Sequence, residues 1–507
     1  MTSINPSSFE EFERAAALGN VVPIVRTIAA DFQSPVDVFE GLAASAPYSF
    51  LFESVEGGKS LARYSFIGIE PEMMVRGRGN QTIIERAGNR EVLQSSAYEF
   101  VSEYFRTKTL AQIGGLPPLA GGAVGYLGFQ ATQWFETAFV NQGDSAAADA
   151  VWMFFKTVVA IERGSKTTQI ISVVFMEEAG GDRALLQRQY QQALETIARY
   201  ESALLNPVAK KAPATTIEAK RTAGEASFVS SFKRHSFEDA VRTIKEHIFA
   251  GDCYQVVISQ CFKRKTRANA LAIYRALRET NPSPYMFFLG LGEEAIVGAS
   301  PEMLVRCRGP QLDYRPIAGT RPRGSTDLED RRLGEEMRAD EKEVAEHVML
   351  VDLGRNDLGR VAQYGSVKVE ELMTIERYSH VQHLVSSLTA KLRDGLDRFD
   401  ALAACFPAGT VTGAPKVRAM EIIQHLEPTP RGVYSGAILY ADYAGNLDSC
   451  IAIRTLMLDR EGMALVQAGA GIVADSIPEL EYDETVNKAR ALFRAIEIAE
   501  ESCKANC

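Results

Sequence analysis

The order of strand-like segments constrains this chain more than any other feature. They arrive in runs. Segments Val21–Ile28, 48–52, Tyr64–Ile69 and 82–84 follow one another with only polar turns between them, and β-branched and aromatic residues fill them. Residues 151–161 and 168–175 read as a pair of strands, and 285–289, 295–299 and 303–307 as a further run. Strict strand–helix alternation, which would indicate a parallel sheet, is absent. The pattern predicts an α+β fold: a large composite sandwich of antiparallel sheets flanked by helices. Gly121-Gly-Ala-Val-Gly-Tyr-Leu-Gly128 lacks both the G-x-G-x-x-G order and a surrounding βαβ unit. It reads as a closely packed strand or bend, not a dinucleotide site.

Helical periodicity marks 182–205, with Leu186, Tyr190, Leu194 and Ile197 on one face, and later 270–279, 328–351, 415–426 and 478–502. Ser7 and Ser8 ahead of Glu10 and Glu11 predict a capped first helix. Residues 206–228 are small, polar and proline-punctuated, which places a linker there. The expected organisation is an N-terminal domain 1–205, a linker 206–235 and a second domain 236–507, with a helix starting at Ser236. The 507 residues suffice for this. A net charge of −10 argues against nucleic acid or an anionic membrane as partner. Seven cysteines without a CxxC pair suit free thiols in a reducing cytoplasm. No secretory leader and no membrane span are expected.

Several residues are poised for chemistry. Phe406-Pro-Ala-Gly-Thr-Val-Thr-Gly-Ala-Pro-Lys416 reads as a tight loop feeding a helix with Pro415 near its first position. Its glycines are wrongly spaced for a phosphate-cradling P-loop, and Lys416 suits a surface charge as well as a ligand. Glu343 and Glu346 are three apart on one helix, and Glu481 and Glu484 three apart on another, with Lys488 a turn on. Each pair reads either as a solvated acidic face or as half of a site for a hard cation such as Mg²⁺. No Cys/His spacing supports zinc. Arg454 is a charge inside an apolar β-like run, 450–458, so it needs an anion: a core partner or a ligand carboxylate. Gly469-Ala-Gly471 allows close backbone approach. Arg315-Pro-Ile-Ala-Gly-Thr-Arg321 suits a small anion. His380 and His383 point to opposite faces of a strand, so at most one faces a given site.

In this order the pieces resemble the chorismate-utilising enzymes, and within them the large, ammonia-using, anthranilate-forming branch. The resemblance covers both halves and is densest from about 237 to 493. It is carried by Pro316-Ile-Ala-Gly-Thr320, Glu346-His-Val-Met-Leu-Val-Asp-Leu-Gly-Arg-Asn-Asp357, the 379–384 segment, the 406–420 loop, Gly469-Ala-Gly471 and Asp483-Glu-Thr-Val-Asn-Lys-Ala-Arg490. Gly354 departs mildly from the family's frequent Ala. The resemblance implies that Glu346 and Glu484 ligate Mg²⁺, with Glu343 and Glu481 supporting through water. It implies that Gly319, Thr320, Thr410, Tyr434, Arg454, Gly469, Ala470, Gly471 and Lys488 contact chorismate. Glu302 matches the family's general acid, and His383 the histidine associated with pyruvate loss.

Two positions discriminate within the family. Gln255 stands where water-using members carry a lysine, and Ala318 where aminodeoxychorismate synthases carry one, which leaves external ammonia as nucleophile. No cysteine sits in a Gly-x-Cys-x-Gly elbow, so the ammonia is expected from a separate glutamine amidotransferase subunit. Leu51-Phe-Glu-Ser54 with Asn281-Pro-Ser-Pro-Tyr-Met286 resembles the family's L-tryptophan feedback site and implies binding at Ser54, Pro284, Tyr285 and Met286, although Phe52 replaces a usual Leu. Two rivals are an enzyme that stops at aminodeoxyisochorismate and a non-catalytic tryptophan-binding regulator. His383 and the tryptophan motif speak against the first, and the retained Glu302 and metal carboxylates against the second.

Overall fold

The computed structural model describes residues 3–505 except 30–31, 33, 45, 56–62, 140–147, 207–227 and 379–380. Among these, 25 strands form a 13-stranded and a 12-stranded sheet. Every ladder between them is antiparallel. The two sheets face each other. Phe50 and Phe66 of the larger sheet meet Phe155 and Tyr440 of the smaller one edge-on, at 4.9 and 5.9 Å between ring centres.

Period-2 alternation shows how the layers are built. In strand Tyr285–Leu291, Phe287, Leu289 and Leu291 enter the core between the sheets, whereas Met286 and Phe288 enter a second core under the helices. Strand Val21–Ile28 divides likewise, with Val21 and Val25 inward and Val22, Ile24 and Ile28 outward. Both faces are covered, which is why such strands read as unbroken apolar runs. Helices Arg183–Leu205, Ala270–Thr280 and Pro478–Ala505 supply the outer layer. On Arg183–Leu205 the buried stripe is Leu186, Tyr190, Ala193, Ile197, Tyr200 and Leu204, so the expected Leu194 yields its place to Ala193.

Both sheets are continuous across the expected division at 206–235. Strand Tyr48–Glu53 pairs with Tyr285–Leu291, and Gly122–Leu127 with Ala437–Asp442. Residues 207–227 of the expected linker lie outside the described residues. Beyond them Val229–Ser230 is already the edge strand of the larger sheet, and the next helix begins at Arg234, ahead of the expected Ser236. In Gly122–Leu127 the expected close packing is present: a Cβ on Gly125 would fall 1.8 Å from the Val151 carbonyl.

Three expected elements are each two. Residues 151–161 split into Ala150–Phe155 in the smaller sheet and Thr157–Glu162 in the larger, the chain crossing at Lys156. Residues 450–458 split between Leu447–Ile451 and Thr455–Leu458, again in different sheets. The helix 328–351 is broken at Asp340 into Asp327–Ala339 and Glu341–Gly359, because the Asp340 carboxylate accepts from the amides of Lys342 and Glu343 and caps a new helix.

Candidate active site

Two sheet-to-sheet crossings lie side by side, and each carries a candidate functional group. Strand Ala295–Ser300 passes into Met303–Arg308 of the other sheet through Pro301 and Glu302. Leu447–Ile451 passes into Thr455–Leu458 through residues 452–454. The crossings are sewn together: the Ile451 amide donates to the Glu302 carbonyl (3.0 Å), the Ala299 amide to the Arg454 carbonyl (3.1 Å) and the Ser300 hydroxyl to the Ile451 carbonyl (2.7 Å). Arg454 takes the turn at φ +50°, a left-handed conformation strained for a side chain of its size.

Glu302 is 6% exposed. Burial disfavours its charged form and pushes its pKa up to about 8, against smaller opposing effects of the neighbouring Thr410 hydroxyl and the Lys488 charge. That hydroxyl is buried and forms no well-aligned hydrogen bond within the protein. Lys488 ties two elements together, donating to the Gly469 carbonyl at 3.1 Å and pairing with Glu484 at 2.6 Å. Strand Met463–Ile472 carries Gly469, Ala470 and Gly471 alongside Ser259, Ile258 and Val257. The glycines are required by close neighbours. A Cβ on Gly469 would meet the Tyr434 hydroxyl at 2.7 Å, and one on Gly471 the Gln255 amide nitrogen at 2.6 Å. Ala470 points away from them into the core under helices Arg234–Phe249 and Lys416–Leu426, so only its backbone faces the site. Burial pushes the Tyr434 phenol up to about 12. Arg454 has no ion-pair or hydrogen-bond partner for its guanidinium among the described residues, and desolvation lowers its pKa with the nearby Tyr434 opposing.

His383 lies within the field of the Arg454 charge. Strand Ile317–Pro322 bulges at Gly319 where it pairs with Val381–Lys391, and Gly319 sits at φ +63°. The bulge turns the Gly319 carbonyl toward His383 Nδ1, 3.1 Å away, with the Thr320 hydroxyl at 3.0 Å. In the neutral ring Nδ1 therefore carries the proton and Nε2 the lone pair. Desolvation is the largest effect holding the His383 pKa below the usual imidazole value, and the Arg454 charge acts in the same direction. His380, the other face of the expected pair, lies outside the described residues.

The four carboxylates meet as a loose group. Burial raises the Glu346 pKa, and the charges of Glu343 and Glu484 add to it. Burial likewise raises Glu481, with Glu484 adding to it. Glu343 is paired with Arg321 at 2.8 Å and Glu484 with Lys488. Among the described residues, no three His, Cys, Asp or Glu side chains come together closely enough to hold a metal ion by themselves. The donors are all carboxylate oxygens under mutual repulsion. They fit a hard cation that takes one or two of them directly and completes its shell with water or substrate oxygens.

The structure thus brings Glu302, Thr410, Lys488, Gly469, Gly471, Tyr434, Arg454, His383, Gly319, Thr320 and the four glutamates into one connected region. Two expectations fail. Lys416 is neither a surface charge nor a ligand: its ammonium pairs with the buried Asp357 carboxylate at 2.9 Å, and Pro415 is the cap preceding the helix. The Arg315–Arg321 segment is no anion cradle, because Arg315 pairs with Glu376 and Arg321 with Glu343 and Asp340. The departure at Gly354 has a packing reason, since a Cβ there would lie 2.4 Å from the Tyr314 ring.

A cavity of about 780 Å³ lies elsewhere, between the strands contributed by the two halves. Ser54, Pro284, Tyr285 and Met286 all line it, as does Phe52. So do Arg306 and Asp448, which the sequence reading missed. Arg306 pairs with Asp448 at 2.7 Å, and the Tyr285 hydroxyl donates to the same carboxylate at 3.2 Å. The signal that marked Arg454, a charge inside an apolar strand, is present for Arg306 in Met303–Arg308 as well. Glu53 of the same motif also borders it, its buried carboxylate held by Tyr274 (2.7 Å) and Arg278 (3.0 Å).

An antiparallel sandwich with an acid and, among the described residues, an unpaired arginine at its crossings, and a carboxylate group on two helices beside them, defines a class. Residues 48–494 match the family described as chorismate binding enzyme, and the chain belongs to that family. Within it the chain is similar to anthranilate synthase component 1 of Acetivibrio thermocellus, 43% identical over 95% of this chain and 96% of that protein. It is likewise 43% identical to anthranilate synthase component 1 of Pseudomonas putida, over 97% and 99%. Among solved structures, anthranilate synthase component I from Streptococcus pneumoniae TIGR4 superposes with a TM-score of 0.71 at 35% identity, covering 86% of this chain and 94% of that one. The menaquinone-specific isochorismate synthase MenF from Escherichia coli shares the fold, with a TM-score of 0.67 at 20% identity.

Proposed function

We propose that this chain is the large subunit of an anthranilate synthase, which aminates chorismate at C2 with ammonia and eliminates pyruvate to give anthranilate for tryptophan biosynthesis. The observation that supports this most is Glu302. A carboxyl that keeps its proton near neutral pH beside the Thr410 hydroxyl is suited to protonating a leaving group. Ammonia forms the C2–N bond as the C4–O bond breaks, and the Glu302 proton lets the C4 hydroxyl leave as water. The ring proton at C2 is then lost, the enolpyruvyl ether bond breaks, and protonation of that fragment yields pyruvate and the aromatic ring. The neutral His383, with Nε2 as base, suits this second half. Arg454, lacking an internal anion, suits one substrate carboxylate, and Lys488 with the Gly469–Gly471 backbone supports binding.

Mg²⁺ on Glu346 and Glu484, with Glu343 and Glu481 through water, would neutralise and orient the other carboxylate. Ammonia comes, in this reading, from a separate glutamine amidotransferase subunit. The five described cysteines are buried, and burial raises the pKa of each thiol, which leaves none as a ready nucleophile. The cavity holding Ser54 and Tyr285 takes L-tryptophan as feedback inhibitor, and the Asp448 carboxylate inside it suits the ligand's ammonium. Incubating the chain with chorismate, Mg²⁺ and ammonium salt should produce anthranilate fluorescence. Accumulation of an aminated, non-fluorescent product would instead identify an aminodeoxyisochorismate-forming enzyme, and no turnover would leave a binding protein.

A further inference from the structure

Arg431 and Glu427 lie below the candidate site, outside the residues that line it. Their side chains are 1% and 5% exposed and pair at 2.6 Å. All five guanidinium N–H groups of Arg431 are used. Nε and one Nη hold the Glu427 carboxylate (2.9 and 2.6 Å). The remaining bonds go to the Val257 carbonyl (2.7 Å), the Val411 carbonyl (2.7 Å) and the Ser435 hydroxyl (3.1 Å). Glu427 also accepts from the amide and hydroxyl of Ser259, each at 2.7 Å.

Each of these partners adjoins a group that faces the site. Val411 follows Thr410, the hydroxyl beside Glu302. Ser435, itself at φ +64°, follows Tyr434, whose hydroxyl lies over Gly469. Val257 and Ser259 are in register with Gly471 and Gly469. Three segments distant in sequence thus converge on one planar cation. A lone buried ion pair adds little to stability relative to apolar packing. A fork with five fixed donors is instead suited to setting relative positions.

We propose that Arg431 is a positioning residue: clamped by Glu427, it sets where the Thr410 and Tyr434 hydroxyls stand relative to Glu302 and the Gly469–Gly471 backbone. This rests on the functional reading above. Lysine keeps the charge and can hold Glu427, but its three donors on one atom cannot span three segments. Arg431→Lys should therefore lower kcat for anthranilate formation from chorismate and ammonium by at least tenfold. The chorismate KM should rise less than threefold, because Arg454 and Lys488 are untouched. Ser435→Ala leaves the ion pair intact and should lower kcat at least threefold with a melting temperature within a few degrees of wild type. It decides the matter if the lysine variant does not fold. Wild-type kcat in the variants, or a fall that follows only the folded fraction, overturns the proposal. Absence of anthranilate from the wild-type protein would overturn the functional reading instead.

Discussion

Glu302→Gln should abolish turnover and, above neutral pH, make the protein more stable. The Glu302 carboxyl is raised from 4.5 to about 8, mainly by burial between the two sheets. The folded state therefore holds a proton that the unfolded chain releases, and wild-type stability falls as pH rises from about 4.5 to about 8. Across that window the loss is about 1.4 kcal/mol for every pH unit, so the cost reaches roughly 5 kcal/mol at pH 8 and is constant above it. A glutamine has the shape of the protonated acid and bears no such cost. Wild type and Glu302→Gln should match in stability near pH 4.5, differ by roughly 3 kcal/mol at pH 7 and by the full amount at pH 9. Urea unfolding monitored by tryptophan fluorescence at half-unit pH intervals measures the difference directly. In activity, about nine tenths of Glu302 is protonated at pH 7, against a fraction of a per cent for an ordinary solvated carboxyl. Turnover corrected for the free ammonia present should thus fall on a limb near pH 8. A stability difference independent of pH between 5 and 9 would refute the assignment of a buried, proton-holding acid.

Three further outcomes follow from the geometry. Lys416→Met strands the Asp357 carboxylate, one of whose oxygens already lacks a partner; denaturant unfolding should show a loss of about 3–5 kcal/mol, with much of it recovered on adding Asp357→Leu. Gly319→Ala puts a methyl at φ +63° and 3.1 Å from Glu343. It should cost about 1–2 kcal/mol in unfolding experiments and reduce turnover by displacing the carbonyl that orients His383. His383→Ala should let the aminated intermediate build up ahead of anthranilate, visible by chromatography of quenched reactions, while chorismate consumption continues.

The sheets were legible because strands buried on both faces appear as apolar runs, and the candidate site because its charges stand out in such runs or pair at helical spacing. The crossings were not. Lys156 switches sheets without a glycine or proline beside it, and residues 452–454 turn through a left-handed arginine. No local signal marks either, since the switch is imposed by the second sheet. Asp340 was legible in principle: Asp-x-x-Glu is a cap signature, concealed by periodicity that continues through the break. Arg431 and Glu427, four apart just past the helix Lys416–Leu426, carry no local signal of burial. Only the convergence of residues 257, 411 and 435 shows that they are buried.

The pairing of Tyr48–Glu53 with Tyr285–Leu291 also sets an order on the birth of the molecule. When the first 205 residues have left the ribosome, Tyr48–Glu53 has a neighbour on one side only. At roughly 5–20 residues per second its other partner is still several seconds away. During that interval the growing chain presents an open apolar sheet edge, the template for wrong pairing. A truncated product ending near residue 205 should therefore aggregate, whereas the two halves made together as separate polypeptides could still complete each other's sheets.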